Sequence, residues 1–118
     1  MTIKALNPIA PFWYTPRREE GDPHPTRFKI KGLNGTEHGY IVPELIIDPI
    51  GRNISDIGGR GIELALAYGL TDWENFANGA GPVAFNPANF GVLDHALRVE
   101  LAWKIITASH VQPEEKKT

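Results

Sequence analysis

The 118-residue sequence contains no cysteine, which excludes disulfide bonds and thiolate metal sites. It also has no apolar run close to the roughly 18 residues that a membrane-spanning helix needs, so a membrane protein is not expected. The 12 basic and 14 acidic residues nearly cancel, and such a balance gives the whole chain no attraction for nucleic acid. The first residues lack the basic and apolar regions of a secretory signal, which favours a cytoplasmic protein.

Glycine and proline, by contrast, are plentiful, at 12 and 10 residues, and they are unevenly placed. Residues 1–60 hold 14 of them, whereas residues 92–112 hold none. This distribution predicts an α+β fold with an extended or β-rich front half and a helical back half. We expect an extended Pro-rich arm over residues 1–26, one α+β domain over residues 27–111, and a flexible polar tail over residues 112–118.

Three consecutive aromatic residues, Phe12, Trp13 and Tyr14, lie in the predicted arm between two prolines. The arm has no amphipathic element of its own that would bury them. Two interpretations stay open: the aromatic side chains pack on the surface of their own domain, or they dock on a partner or a neighbouring subunit.

A β-hairpin is predicted at the start of the domain. Residues 27–33 alternate apolar and basic side chains with period two, which is typical of a half-buried strand with Phe28, Ile30 and Leu33 facing inward. The Asn34-Gly35 pair favours a tight turn, and residues 40–42 would form the returning strand. The outer face would carry three basic residues and is either a solvated surface or a ligand surface: Arg27, Lys29 and Lys31.

About three helices are predicted after a short strand near residue 46 and a loop that extends to Gly59. Residues 62–70 form the first helix, which Gly69 ends. Thr71 and Glu74 have the spacing of a capping box, which predicts a short second helix over residues 73–78. Its Trp73 and Phe76 are expected in the core.

The last helix is predicted to be long and amphipathic, over residues 90–109. Asn86 and Pro87 suit the cap and first position of a helical turn. Leucine or isoleucine recurs every fourth residue from Leu93 to Ile105, and Ala96 and Trp103 are expected to widen this apolar face. Asp94 with Arg98, and Glu100 with Lys104, have the spacing of favourable ion pairs.

Residues that could carry chemistry are scattered. The histidines, at positions 24, 38, 95 and 110, have no spacing typical of a metal site. The carboxylate pairs Glu19-Glu20 and Glu114-Glu115 lie in segments expected to be exposed, where general acid catalysis is not favoured. Asp48 and Asp56 flank a glycine-containing loop and would form a site only if the fold placed them in a cleft. We therefore expect no enzymatic activity, no metal and no cofactor.

Four segments together resemble one family: residues 11–16, 25–35, 67–76 and 93–111. They are similar to the short tail assembly chaperones of long, non-contractile-tailed bacteriophages. Residues 45–61 depart from that pattern because they are longer and richer in glycine.

The resemblance implies a small non-enzymatic protein of the infected host's cytoplasm that is absent from the mature virion. Such a chaperone binds the tape measure protein and helps to recruit the major tail protein; self-association into a homo-oligomer is also plausible. Residues 114–118 are compatible with a slippery adenine run, since this family often makes a longer product by ribosomal frameshifting. The contact candidates are aromatic side chains: Phe12, Trp13, Tyr14, Tyr68 and Trp103.

Two other classes of protein stay open. A structural virion component, such as a head–tail connector or a tail-tube subunit, would use the Pro-rich arm to link neighbouring subunits. A small enzyme or a nucleic-acid binder would need a site that the sequence does not reveal. For the binder, the basic residues near position 29 would have to hold the nucleic acid.

Overall fold

The computed structural model describes residues 10–47 and 54–108. The chain combines helices with antiparallel strands in an α+β fold, as predicted. The strands are β1 Phe12–Tyr14, β2 Arg27–Ile30, β3 Leu45–Ile47, β4 Ile54–Ile57, β5 Leu70–Glu74, β6 Ala77–Asn78 and β7 Gly81–Pro82. The α-helices are α1 Gly35–Ile41, α2 Gly59–Gly69 and α3 His95–Ala108, and 3-10 turns cover Arg17–Glu19, Val42–Glu44 and Pro87–Val92.

A three-stranded antiparallel sheet in the order β1-β2-β5 lies at the centre of the fold. Tyr14 is paired with Phe28, which is paired in turn with Trp73. Directly paired residues share a face of the sheet, and Phe28, Trp73 and Ile30 are buried in the core. The neighbouring residues, including Trp13 and Lys29, therefore lie on the opposite face.

The predicted hairpin is wrong in its second half. Strand β2 exists and buries Phe28, Ile30 and Leu33 as predicted, but its partners are β1 and β5 rather than residues 40–42. Asn34 begins helix α1 instead of a turn: its side chain accepts a hydrogen bond from the Glu37 backbone N–H at 2.9 Å, and the Glu37 carboxylate accepts one from the Asn34 N–H at 3.0 Å. This reciprocal cap stabilises a helix start, and asparagine serves both as cap and as turn residue.

The predicted second helix is also wrong, because Leu70–Glu74 forms strand β5. The Thr71 hydroxyl donates to the Lys29 carbonyl at 3.0 Å and does not cap a helix. Pairing with β2 places Trp73 in the core, where it is 6% exposed. Phe76 packs against the same core, so the expected burial is confirmed although the element is different. Tertiary pairing has overridden the local capping signal.

The first and last helices are confirmed with shifted bounds. Helix α2 ends at Gly69, and the Asn86 side chain caps a 3-10 turn that begins at Pro87. Helix α3 begins at His95 rather than at residue 90, because residues 87–92 form that turn. The predicted loop before Gly59 contains strand β4, which pairs with β3.

The core lies between the sheet and the packed pair α2 and α3. Gly69 permits this close approach, since a Cβ atom there would collide with the side chain of Ile105, itself 0% exposed. No helix within the described ranges is long and apolar enough to cross a membrane. Several predicted features lie outside the described residues: the start of the arm, Asp48, His110, Glu114-Glu115 and the tail over residues 112–118.

Candidate interaction groove

Helix α3 carries apolar side chains on two opposite faces. One face packs into the core and includes Leu97, Leu101 and Ile105, of which the last two are 0% exposed. The other face follows the same spacing of three and four residues from Ala96 through Val99 and Trp103 to Thr107. Since such a spacing keeps side chains on one side of a helix, this second face points away from the core.

The second face of α3 forms one wall of an open groove of about 470 Å³. The lining residues outside α3 come from β1 and from the segment that follows it. We call this feature the α3 groove and define it by its lining residues: Tyr14, Arg17, Ala96, Val99, Glu100, Trp103, Lys104 and Thr107. Val99 and Trp103 are partly buried against the core, whereas Ala96, Lys104 and Thr107 are exposed. The groove therefore has an apolar floor and a polar rim.

Residues 12–19, which contain β1 and the 3-10 turn after it, are joined to helix α3 and to the residue before it by hydrogen bonds. We call this segment the strap. The Tyr14 hydroxyl and the Arg17 backbone N–H both donate to the Glu100 carboxylate, the latter at 3.0 Å. The Arg18 guanidinium makes two bonds to the Asp94 carboxylate, at 2.7 and 2.9 Å. These contacts join the strap to helix α3 and to Asp94, the residue directly before it.

The contacts that the strap makes change the pKa values of Tyr14 and Asp94. Burial, together with the hydrogen bond to Glu100 and its charge, raises the pKa of Tyr14 to about 12. The Arg18 guanidinium, and then the Leu97 backbone N–H, lower the pKa of Asp94 to about 2. Tyr14 is therefore protonated and Asp94 ionised at neutral pH. The Asp94 carboxylate also caps α3, since it accepts from the Leu97 N–H at 2.9 Å.

The Asp94–Arg98 pair expected from helical spacing is replaced by the contact with Arg18. The Arg98 guanidinium instead lies 4.0 Å from the Glu63 carboxylate. Arg18 rather than Arg98 therefore pairs with Asp94, because the bidentate arginine contact aligns two charge-assisted hydrogen bonds.

The five predicted contact residues do not form one site. Tyr14 and Trp103 share the α3 groove. Phe12 is partly buried against the core. Trp13 is 38% exposed on the other face of the sheet, and Tyr68 on α2 is half-buried with its ring 6.5 Å from that of Tyr40. Only the Tyr14 and Trp103 pair is brought together.

Ala96 and Trp103 were expected to widen the apolar face that carries Leu101, but they lie on the other side of α3, where Ala96 is exposed and Trp103 is only partly buried against the core. Trp103 lies two residues after Leu101, and two residues turn a helix by about 200°, so the side chains point in nearly opposite directions. Val99, Glu100 and Thr107 were not identified as site residues. Steps of three and four residues, counted from Ala96, place them on the same side of the helix, and this pattern is visible in the sequence.

The predicted basic face has its own acidic neighbours. Arg27 forms an ion pair with Glu74, and Lys29 is paired with Asp72 across the sheet. Trp13 lies among these charges, with its ring 5.4 Å from the Arg27 guanidinium and 5.9 Å from the Lys29 ammonium. These mixed charges do not form the continuous basic surface that binds phosphates.

Two smaller cavities flank the groove region. One, of about 210 Å³, lies beside the strap over Phe28 and Leu97. The other, of about 340 Å³, lies between α2 and the start of α3 and is lined by Glu63, His95 and Arg98 among others. Across residues 10–47 and 54–108, no three histidine or carboxylate side chains are grouped so as to hold a metal ion.

Comparisons of the chain with protein-family models, curated proteins and solved structures found no match. Function has therefore to be inferred from the residues of the chain itself.

Proposed function

We propose that this protein is a phage tail assembly chaperone. It binds the tape measure protein in the cytoplasm of the infected host, helps to recruit the major tail protein, and is absent from the finished particle. The four segments that resemble this family support the proposal. The α3 groove supplies a surface suited to the task.

The observation that carries the proposal is the second apolar face of α3. Val99 and Trp103 form an apolar floor beside Tyr14, and no described residue covers them completely, since Trp103 is only partly buried. Grooves of this kind bind the apolar face of an amphipathic helix. A chaperone of the resembled family shields such faces on a long helical protein, which fits the groove.

The polar groups of the groove support binding rather than catalysis. The Glu100 carboxylate accepts two hydrogen bonds from the strap. The pKa of Tyr14, about 12, keeps its hydroxyl protonated, and a general base needs a pKa near the working pH. Both groups hold the strap against α3.

Co-expression tests this function. We expect the full-length tape measure protein from the same phage genome to become soluble and to co-purify with this chain. Trp103→Ala should weaken that recovery several-fold because it removes most of the groove floor. Tyr40→Ala is the matched control, since Tyr40 is a 57% exposed aromatic residue outside the groove. A tape measure protein that stays insoluble and unbound with the wild-type chain contradicts the proposal.

The alternative, a structural virion component, is favoured by exposed apolar residues away from the groove. They would suit contacts between repeated subunits, and they are Trp13, Tyr40, Val42, Ile46 and Val92. Mass spectrometry of purified phage particles separates the two functions. A chaperone is missing from the particles, whereas a head–tail connector or tail-tube subunit is present in fixed copy number.

The frameshifted longer product is tested at the level of the gene. A slippery adenine run near the codons of residues 114–118, followed by an open reading frame, is expected. Codons without such a run would contradict this part of the proposal and leave tape measure binding untouched.

A further inference from the structure

We infer that the α3 groove selects an amphipathic helix of about three turns that carries carboxylates along the flank facing the strap. The inference rests on the proposed function for the identity of the partner, the tape measure protein. The chemistry of the selected segment is argued from the groove itself.

The length and form of the occupant follow from α3. From Ala96 to Thr107 the lining residues advance eleven positions, which corresponds to about 16 Å or three helical turns. Rows of side chains with a spacing of three and four residues form the ridges and grooves into which a second helix packs. A helix also satisfies its own backbone hydrogen bonds, so it can lie on the apolar floor of Val99 and Trp103 without leaving polar groups unpaired.

The charge preference follows from which groups of the groove are already engaged. Glu100, the acidic residue that lines the groove, accepts hydrogen bonds from the Tyr14 hydroxyl and from the Arg17 backbone N–H. Both donors are uncharged, so these bonds do not cancel the charge of the carboxylate. The side chains of Arg17 and Lys104, in contrast, form no ion pair with any residue of the described ranges, whereas Arg18, Arg27 and Arg98 each have an acidic partner. The lining of the groove therefore combines one carboxylate with two cations that have no acidic partner in the described part of the chain, a net charge of +1.

Both cations line the groove, one in the strap and one in contact with it. Arg17 belongs to the strap, and the Lys104 ammonium lies 5.5 Å from the centre of the Tyr14 ring, which is also part of the strap. A bound helix would therefore meet both cations together with the Glu100 carboxylate beside the strap, and the net charge there is positive. Carboxylates on the flank of the helix that faces the strap gain attraction, and lysines there meet repulsion.

Two synthetic 18-residue peptides test the inference against the full chain by calorimetric titration. Both carry the same leucine stripe; one has glutamates along one flank and the other has lysines at the same positions. Exposed charge pairs contribute modestly, so we expect the glutamate peptide to bind about 10-fold more tightly at low salt, with less difference at high salt because of screening.

The double substitution Arg17→Glu and Lys104→Glu should reverse the preference. The bond from residue 17 to Glu100 comes from the backbone and does not need the arginine side chain, and a thermal unfolding curve checks that the variant folds. Lys29→Glu with Lys31→Glu is the matched control, since it changes the same number of charges outside the groove and should leave the preference unchanged.

Equal affinities of the two peptides, or a preference that the double substitution leaves in place, overturn the charge selectivity. Binding of neither peptide overturns the groove as a helix site. Neither result decides whether the protein is a chaperone, which the co-expression experiment tests separately. If co-expression fails, a measured preference between the two peptides still stands.

Discussion

Both faces of helix α3 carry apolar residues, but the two faces differ in how deeply these residues are buried. On the inner face, Leu101 and Ile105 are 0% exposed and pack in the core. On the outer face, Val99 and Trp103 are partly buried and line an open groove. A helix that is apolar on one face needs one packing partner, and a helix apolar on both faces needs two. Here helix α2 is the inner partner, and the strap covers only part of the outer face.

The strongest test of this difference compares Leu101→Ala with Trp103→Ala. Truncation of a fully buried leucine costs about 2–5 kcal/mol of unfolding free energy, so Leu101→Ala should be severely destabilised in chemical denaturation. Trp103→Ala should lose less stability than this although it removes a larger side chain, because Trp103 is only partly buried. Equal losses would show that the outer face belongs to the core.

Gly69→Ala should damage the inner face by overpacking. An added Cβ atom would collide with Ile105, and overpacking of a filled core costs about 1–3 kcal/mol. Gly59→Ala is the control in the same helix, since nothing lies within 4 Å of a Cβ atom there. Equilibrium unfolding of both variants measures the effect, and a stable Gly69→Ala protein would contradict the close packing of α2 on α3.

Tyr14→Phe addresses the anchor on the outer face. Removal of one hydrogen bond should cost about 1 kcal/mol at neutral pH. Because the folded protein raises the pKa of Tyr14 from 10.0 to about 12, this contribution is present below pH 10 and lost as the pH rises from 10 to 12. The phenylalanine variant should lack that alkaline loss. Unfolding free energies measured from pH 8 to 12 test this, and parallel curves for the two proteins would contradict it.

Asp94→Asn has the smallest expected effect, because both Asp94 and Arg18 are exposed. The folded protein lowers the pKa of Asp94 from 3.8 to about 2. Its contribution is therefore present above pH 4 and lost as the pH falls toward 2. The acid branch of the stability curve should be shallower in Asp94→Asn than in the wild type. Glu20→Gln, which removes an exposed carboxylate outside this ion pair, is the control.

Capping and helix-ending residues predicted the local structure correctly where no long-range contact opposed them. Asn86 and Pro87 begin a helical turn as predicted, and Gly69 ends α2. The same kind of signal failed at Thr71, where pairing with β2 and burial of Trp73 favour a strand. It also failed at Asn34, whose side chain is equally suited to a turn and to a helix cap.

The sequence predicted some residues of the candidate site, but not that they lie together. Tyr14 and Trp103 were both expected to contact a partner, but they are separated by 88 intervening residues and nothing local relates them. The two residues line one groove because Glu100 accepts hydrogen bonds from the strap and so holds β1 beside α3. A long-range hydrogen bond of this kind leaves no periodic pattern in a sequence.

The sequence by itself determined the α+β class, the absence of thiolate chemistry and the presence of a long, uninterrupted helix near the end, because composition and periodicity act through local backbone preferences. Only the tertiary structure decided that the aromatic residues of the predicted arm belong to a sheet, that residues 70–74 form a strand, and that α3 shows a second apolar face to an open groove. Those outcomes depend on which surfaces meet, and packing free energy outweighs the small local propensities of the residues involved.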